Sequence, residues 1–306
     1  MSSDRALHLA PLFVLVLAFV AHARQVPVFR AGVDLVNVAV TVSDKREQLV
    51  TGLKPDDFEV YEDGIKQTIK FFSAGDAGQG QGADLHLGLL LDVSESMGDD
   101  VGFTRTAAIK FLNTLVTAVD ITLVDFDTEV RAARFSQNQF QRVVERIRQQ
   151  KTAGLTALYD AIGLYLDGAA AQDGRKIMLL YTDGGDTRSS MRYSELLDLL
   201  KASDVTIYSI GALEHQSTSA RERARATLSS IASSTGGQAF FPGSLKELDR
   251  VYEKVLAEIR AQYILGYVST NPATGGEWRK VDIKLANKAG GGTRIRARRG
   301  YFAPYK

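Results

Sequence analysis

The chain has 306 residues, of which 45% are hydrophobic and 24% are charged, and its formal net charge is +1. This composition excludes a disordered or collagen-like chain, and the near-neutral charge gives no general attraction to nucleic acid or to a membrane surface. The length suits about two domains of roughly 100–200 residues each. There is no cysteine, so disulfide bonds play no part in the stability of the protein.

The first 23 residues are typical of a secretory signal peptide. A polar start that contains Arg5 precedes an apolar run over residues 10–21, and Ala21-His22-Ala23 has the small-x-small pattern at which signal peptidase cuts. The run is shorter than the roughly 20 residues that a membrane span needs. We therefore expect residues 1–23 to be removed on export to the periplasm, the medium or the cell envelope. An uncleaved membrane anchor is the alternative, because Asp4 weakens the basic start.

Residues 24–74 have the pattern of an all-β segment. Valines alternate along DLVNVAVTV, residues 34–42, which is the period of a half-buried strand. Residues 58–72 predict a hairpin that turns at Asp63-Gly64. The Gly-, Ala- and Asp-rich residues 75–83 then predict a linker.

Residues 84–261 alternate predicted strands with predicted helices. The apolar runs HLGLLLDV, ITLVDF, KIMLLYTD, VTIYSIGA and GQAFF are the candidate strands. The candidate helices span residues 104–119, 139–149, 157–170, 194–202, 221–232 and 245–261. Alternation of this kind predicts a parallel sheet that helices cover on both faces.

Residues 262–306 return to a β pattern, with YILGYVST, EWRKVDIKLA and TRIRARRGYF as candidate strands. Since this segment and residues 24–74 are each short for an independent β domain, we expect them to pair as one small β sandwich. The predicted fold class is therefore α/β, with a doubly wound, mostly parallel sheet flanked by N- and C-terminal β segments. Residues 263–306 contain nine Lys or Arg and two Asp or Glu, and a solvated strand face is the simplest interpretation of this charge.

Three polar side chains follow the apolar run HLGLLL at alternate positions: Asp92, Ser94 and Ser96. Alternate residues of an extended chain point the same way, so these oxygens converge if the chain stays extended. Ligands of open α/β sheets bind where strands end, and one carboxylate with two hydroxyls suits Mg²⁺ or Mn²⁺. Thr156, at a loop-to-helix junction, and Asp183, where the strand KIMLLY ends, are candidates for the remaining ligands.

Each of these five residues also fits a structural role when it is taken singly. Serine and threonine cap helices, and Asp183-Gly184-Gly185-Asp186 is a common kind of turn. Their conjunction at three strand ends favours a binding site. Five nearby acids are assigned instead to solvent, to the start of the next helix, or to a strand end and turn: Glu95, Asp99, Asp100, Asp125 and Asp127.

The pattern Asp92-x-Ser94-x-Ser96, followed by Thr156 and by Asp183 before a glycine, resembles the metal-ion-dependent adhesion site of the von Willebrand factor type A domain. The resemblance spans residues 84–261, and the two outer segments are similar to the ends of VWFA-related proteins of acidobacteria. The resemblance implies that the site binds one Mg²⁺, with Mn²⁺ or Ca²⁺ as alternatives. By resemblance the serines and the threonine bind the ion directly, and the two aspartates act largely through water.

We expect an exported, metal-dependent protein-binding or adhesion module. Neutral hydroxyls leave the charge of the cation poorly compensated, so the ion recruits a carboxylate from an acidic side chain of a protein partner. No nucleic-acid partner is expected, and a membrane is expected only if the signal segment is uncleaved. The alternatives are a metal-assisted hydrolase and a structural domain with a vestigial metal site.

Catalysis is not expected. After export the chain would retain only His86 and His215, and it contains neither a Gly-x-Ser-x-Gly elbow nor a Gly-x₄-Gly-Lys-Ser/Thr phosphate loop. A phosphotransferase of the haloacid dehalogenase type needs a second aspartate two positions after the first, where this chain has Ser94.

Overall fold

The structure is a computed structural model that describes residues 35–74, 84–114, 117–272, 275–286 and 292–303. The predicted signal peptide, residues 1–23, and the predicted linker, residues 75–83, lie outside the described residues, so both stay predictions. In the part of the chain that is described, no helix is long and apolar enough to cross a membrane.

Fourteen strands and six α-helices make up the described fold. The strands are β1 (Leu35–Ser43), β2 (Phe58–Glu62), β3 (Ile65–Gln67), β4 (Ile69–Ala74), β5 (Leu85–Asp92), β6 (Ala118–Phe126), β7 (Val130–Ser136), β8 (Arg175–Thr182), β9 (Thr206–Gly211), β10 (Gln238–Phe240), β11 (Tyr263–Val268), β12 (Trp278–Leu285), β13 (Arg294–Ala297) and β14 (Gly300–Phe302). The helices are α1 (Val101–Thr114), α2 (Phe140–Gln149), α3 (Leu158–Ala170), α4 (Tyr193–Ala202), α5 (Thr218–Ser234) and α6 (Leu245–Ala261).

A six-stranded sheet in the order β10-β9-β8-β5-β6-β7 forms the centre of the α/β domain. Its strands are parallel except for β7, which pairs antiparallel with β6 at one edge. Strands β5, β8 and β9 are buried along nearly their whole length, because helices cover both faces of the sheet. The predicted fold class is confirmed. Strand β7 was not predicted from the sequence.

Two local predictions need correction. The helix predicted over residues 104–119 is α1, which is described over Val101–Thr114, and Ala118 already belongs to β6. Ala118 and Val119 fit a helix and a strand equally by their apolar character, and the pairing of Ala118 with Leu85 decides for the strand. The predicted hairpin does turn at Asp63-Gly64, where φ is 48° and 83°. Strand β4, however, leaves the hairpin and pairs with β11.

The remaining strands form two four-stranded sheets, β13-β1-β11-β4 and β14-β12-β2-β3. Each sheet combines strands from both ends of the chain: β1 pairs with β11, and β2 pairs with β12, both antiparallel. The two sheets enclose one hydrophobic core, formed by Val38, Val40, Val42, Phe58, Val60, Tyr263, Leu265, Tyr267, Val281 and Tyr301. The predicted β sandwich is therefore present, and helix α6 runs into it through the single residue Gln262.

Candidate functional site

The candidate site lies at the carboxyl ends of two central strands. Strands β5 and β8 are neighbours in parallel register, with Leu91 opposite Tyr181, so the next residues, Asp92 and Thr182, end side by side. The ends of these two strands and the loops that leave them carry four of the five predicted site residues. The sheet order thus brings together residues that are about 90 positions apart in sequence.

Asp92 is fully buried and its carboxylate accepts three hydrogen bonds. Oδ1 accepts from Ser94 N at 3.0 Å and from Ser94 Oγ at 2.5 Å, and Oδ2 accepts from Thr182 Oγ1 at 2.6 Å. These bonds fix the orientation of the carboxylate. Sequence reasoning missed Thr182, and only the adjacency of β5 and β8 identifies it as the partner of Asp92.

Ser94 and Ser96 adopt a different backbone from the one predicted. The chain is extended at Ser94, where φ is −66° and ψ is 165°, but Glu95–Met97 form a 3₁₀ turn. Ser96 therefore does not continue an extended strand. The turn nevertheless brings Ser96 Oγ to 3.2 Å from Ser94 Oγ, so the expected grouping of the two hydroxyls is achieved by another geometry.

Thr156 is buried in a loop that is bonded to both neighbouring loops. The carbonyl of Gly154 accepts from the amide of Glu95 at 3.1 Å, and the carbonyl of Thr156 accepts from the amides of Thr187 and Arg188 at 2.9 and 3.0 Å. No hydrogen bond among the described residues joins the Thr156 hydroxyl to the other four candidate side chains. The backbone of Thr156 nevertheless lies next to the loops that carry the other candidate residues.

Asp183 is buried and follows β8 directly in the chain. Its Oδ1 accepts from Gly185 N at 3.0 Å, and its carbonyl accepts from Gln216 Nε2 at 2.8 Å. Gly184 has φ 82°, and a Cβ at this position would lie 2.9 Å from Ala224 Cβ. Glycine is therefore needed here to turn the chain so tightly after the aspartate.

Burial makes the ionised form of the Asp92 carboxyl less favourable than it is in water. Burial raises the pKa of the Asp92 carboxyl to about 6, and the nearby charge of Asp183 adds to the rise. The hydrogen bonds from Ser94 and Thr182 act in the opposite direction but are outweighed by burial. The carboxylates of Asp92 and Asp183 are both buried, and their negative charges favour the binding of a cation.

The oxygen atoms present fit a small divalent cation. In an octahedral Mg²⁺ site with ligands at about 2.1 Å, neighbouring ligand oxygens lie about 3 Å apart. The 3.2 Å between the hydroxyls of Ser94 and Ser96 matches this separation. Ser94 Oγ also directs its proton to Asp92, which leaves its lone pairs for an ion. The described residues contain no group of three or more His, Cys, Asp or Glu that could hold a metal, so any ion depends on the hydroxyls.

The other residues singled out in this region have structural surroundings. Glu95 and Asp99 are exposed, and the carbonyl of Asp100 accepts the first backbone bond of α1 from Thr104 N. Asp125 and Asp127 lie at the β6 end and turn, and Arg131 binds both of them at 2.7 and 2.8 Å. As expected from the sequence, these acids have structural or solvent contacts in the described protein.

The fold is that of the open α/β sheets, a class in which ligands generally bind at the carboxyl edge of the sheet. The family model of the von Willebrand factor type A domain matches residues 86–254, more than half of the chain. The chain therefore belongs to the von Willebrand factor type A domain family. No curated protein matches it by sequence.

Several solved structures are similar. The pilus adhesin SpaC from Lactobacillus rhamnosus GG, in an open conformation, has 12% identity and a TM-score of 0.49, over 83% of this chain and 49% of that one. The PilB minor pilin from Streptococcus sanguinis has 12% identity and a TM-score of 0.47, over 61% and 63%. A von Willebrand factor type A protein from Catenulispora acidiphila has 13% identity and a TM-score of 0.46, over 91% and 76%. This chain thus spans about half of SpaC and less than two thirds of PilB, and these likenesses concern the fold alone.

Proposed function

We propose that the protein is an exported, metal-dependent binding or adhesion module that captures an acidic side chain of a protein partner. Asp92, Ser94, Ser96, Thr156 and Asp183 would hold one divalent cation, Mg²⁺ in the first place and Mn²⁺ or Ca²⁺ as alternatives. The cation supplies a coordination position that a partner carboxylate fills. The observation that supports this proposal most is the position of Ser94 Oγ, which lies 2.5 Å from Asp92 Oδ1 and 3.2 Å from Ser96 Oγ.

The contacts of Asp92 are suited to binding and poorly suited to catalysis. Both of its carboxylate oxygens are occupied by hydrogen bonds from Ser94 and Thr182, so the group is fixed and shielded from solvent. A general base must reach the proton that it removes. Asp92 therefore serves as an anchor for charge in the proposed site.

The two described histidines also do not favour a hydrolase. His86 lies at the amino end of β5, the opposite edge of the sheet, and contacts Asp120 at 3.0 Å. His215 Nδ1 lies 3.2 Å from Asp100 Oδ2, and this hydrogen bond raises the pKa of the imidazole above 6.5. A histidine that is more protonated near neutral pH is a weaker general base. We therefore propose that the domain binds its partner without turnover.

Calorimetric titration with Mg²⁺ tests the proposed site. We expect the Asp183→Ala protein to bind Mg²⁺ at least about tenfold more weakly than the parent, because one of only two carboxylates has been removed. Asp99→Ala is the matched control, since Asp99 is an exposed acid in the neighbouring loop and its loss should leave the affinity unchanged. Equal affinity of parent and Asp183→Ala would show that the site is wrong.

The partner chemistry is tested on the same proteins. An immobilised peptide with one glutamate should retain the parent in Mg²⁺ and release it in EDTA, and the matching glutamine peptide should not retain it. Retention of both peptides, or cleavage of the peptide during the assay, would contradict a carboxylate-binding module.

A further inference from the structure

A cavity of about 580 Å³ lies between the α/β domain and the β sandwich. Helices α5 and α6 and strand β10 line one side, and β1, β12 and β13 line the other. The cavity includes Gln238, the first residue of β10, so it lies at the amino edge of the parallel sheet. The candidate metal site lies at the opposite, carboxyl edge, and the two are separate.

Positive charge dominates the lining of this cavity. The cationic residues are Lys254 on α6 and, from β13 and the loop after it, Arg294, Arg296, Arg298 and Arg299. All four arginines belong to the basic C-terminal segment that the sequence suggested to be a solvated strand face. Most of that segment's arginines therefore line a concavity, where low-dielectric walls strengthen the positive potential.

The acidic residues of the lining are all neutralised by a partner. Glu47 lies 3.4 Å from Lys254 Nζ, and the buried Glu258 lies 2.5 Å from an Arg296 amino group. Asp282 lies 3.4 Å from Lys280 Nζ, outside the cavity lining. The pairs with Glu47 and Glu258 also neutralise the positive charges of Lys254 and Arg296.

Two of the four arginines are engaged in holding the fold. Arg296 pairs with Glu258 and also donates to Gln238 Oε1 at 3.1 Å. Arg298 donates to the carbonyls of Ser203 at 3.3 Å and Asn37 at 2.6 Å. Both side chains therefore join the sandwich to the α/β domain.

The other two arginines, Arg294 and Arg299, are not engaged in this way. Within the described ranges, neither guanidinium has a hydrogen-bond or ion-pair partner. The cavity thus presents two uncompensated positive charges. Guanidinium groups bind phosphate and carboxylate in a bidentate fork, and two of them match a ligand with two negative charges.

We propose that this cavity binds a small anion with at least two negative charges, carried by phosphate or by paired carboxylates, through Arg294 and Arg299. The volume is within the roughly 300–1,000 Å³ range of small-molecule sites. The hydroxyls of Ser43 and Ser229 also line the cavity and can donate to further oxygens of the ligand. A ligand here contacts both the sandwich and the α/β domain.

Calorimetry on the full chain tests this site at low salt in buffer freed of divalent cations by a chelating resin, with pyrophosphate as the phosphate probe and malonate as the dicarboxylate probe. We expect at least one probe to bind, and the Arg294→Gln/Arg299→Gln double variant to bind it at least about tenfold more weakly. Binding of pyrophosphate alone would assign the ligand to phosphate compounds, and binding of malonate alone would assign it to dicarboxylates. The buffer contains no divalent cation, so the result does not depend on the metal site, and no chelating polycarboxylate competes with the probes.

Arg142→Gln is the matched control, because Arg142 is an exposed arginine on α2, outside the cavity. Its affinity for the probe should equal that of the parent. The double variant should also keep the parental melting temperature without ligand, since neither arginine has a partner to lose. Equal affinity of the double variant and the parent, or no binding of either probe up to about 10 mM, would overturn the proposal.

Discussion

At the scale of single residues, Asp92 is held in place by three hydrogen bonds, and burial disfavours its charge. It is fully buried, and burial raises its pKa from 3.8 to about 6. In the absence of metal, the folded protein therefore binds the Asp92 proton more tightly than the unfolded chain does. Stability from this group is present at pH below 3.8 and is lost as the pH rises to about 6.

Replacement of Asp92 by asparagine should therefore stabilise the metal-free protein at neutral pH. The shift of about two pKa units corresponds to roughly 3 kcal/mol, at about 1.4 kcal/mol for each unit. Urea unfolding in EDTA at several pH values measures the difference between Asp92→Asn and the parent. We expect the difference to grow between about pH 4 and about pH 6 and then to level off. A difference that stays constant over this interval would contradict the role assigned to burial.

At the scale of elements, helix α6 connects the α/β domain directly to the β sandwich. Its C-terminal residue Ala261 is separated from β11 by Gln262 alone, and Gln262 Nε2 donates to Thr206 at the start of β9. Glu258, in its last turn, is 2% exposed and pairs with Arg296 on β13. A buried pair of this kind contributes mainly when one partner is removed, because the other charge is then left buried and unpaired.

Glu258→Ala should destabilise the protein by about 3–5 kcal/mol. Glu253→Ala is the control on the same helix, since Glu253 is exposed, and it should change the free energy of unfolding by less than about 0.5 kcal/mol. Urea denaturation gives both values. Replacement of both partners, as Glu258→Leu with Arg296→Met, should recover most of the loss. A loss that the double replacement leaves unchanged would mean that packing of Glu258, and not its charge, is important.

At the scale of the whole molecule, the chain ends and the α/β domain depend on each other. Each sheet of the sandwich needs strands from both sides of the α/β domain, so neither terminal segment can complete it alone. Arg296 and Arg298 further bind the sandwich to Glu258 and to the carbonyl of Ser203. These contacts favour unfolding of both parts in one step.

The only tryptophan, Trp278, lies in β12 of the sandwich, whereas all six described helices lie in the α/β domain. Tryptophan fluorescence and far-ultraviolet circular dichroism therefore report on different parts. In urea we expect the two transitions to have the same midpoint and slope. Separate midpoints would show that the sandwich and the α/β domain unfold independently.

The sequence by itself determined most of the elements and indicated most of the candidate site. Period-two valines predicted β1, apolar runs predicted the parallel strands, and the residues after HLGLLL and KIMLLY indicated Asp92 and Asp183. The predictions of strands succeed because burial of a strand or helix imposes a short-range pattern on the residues that form it, whereas the binding role of Asp92 and Asp183 stays a prediction.

The tertiary structure alone decided which distant residues meet. It placed Thr182 against Asp92, replaced the extended chain at Ser96 by a 3₁₀ turn, and moved β4 from its hairpin to the other sheet. It also separated the basic C-terminal segment into arginines that hold the fold and the pair Arg294 and Arg299 that face a cavity. The physical reason is that these outcomes depend on strand order and on contacts between residues far apart in the chain, which a local hydrophobic pattern does not encode.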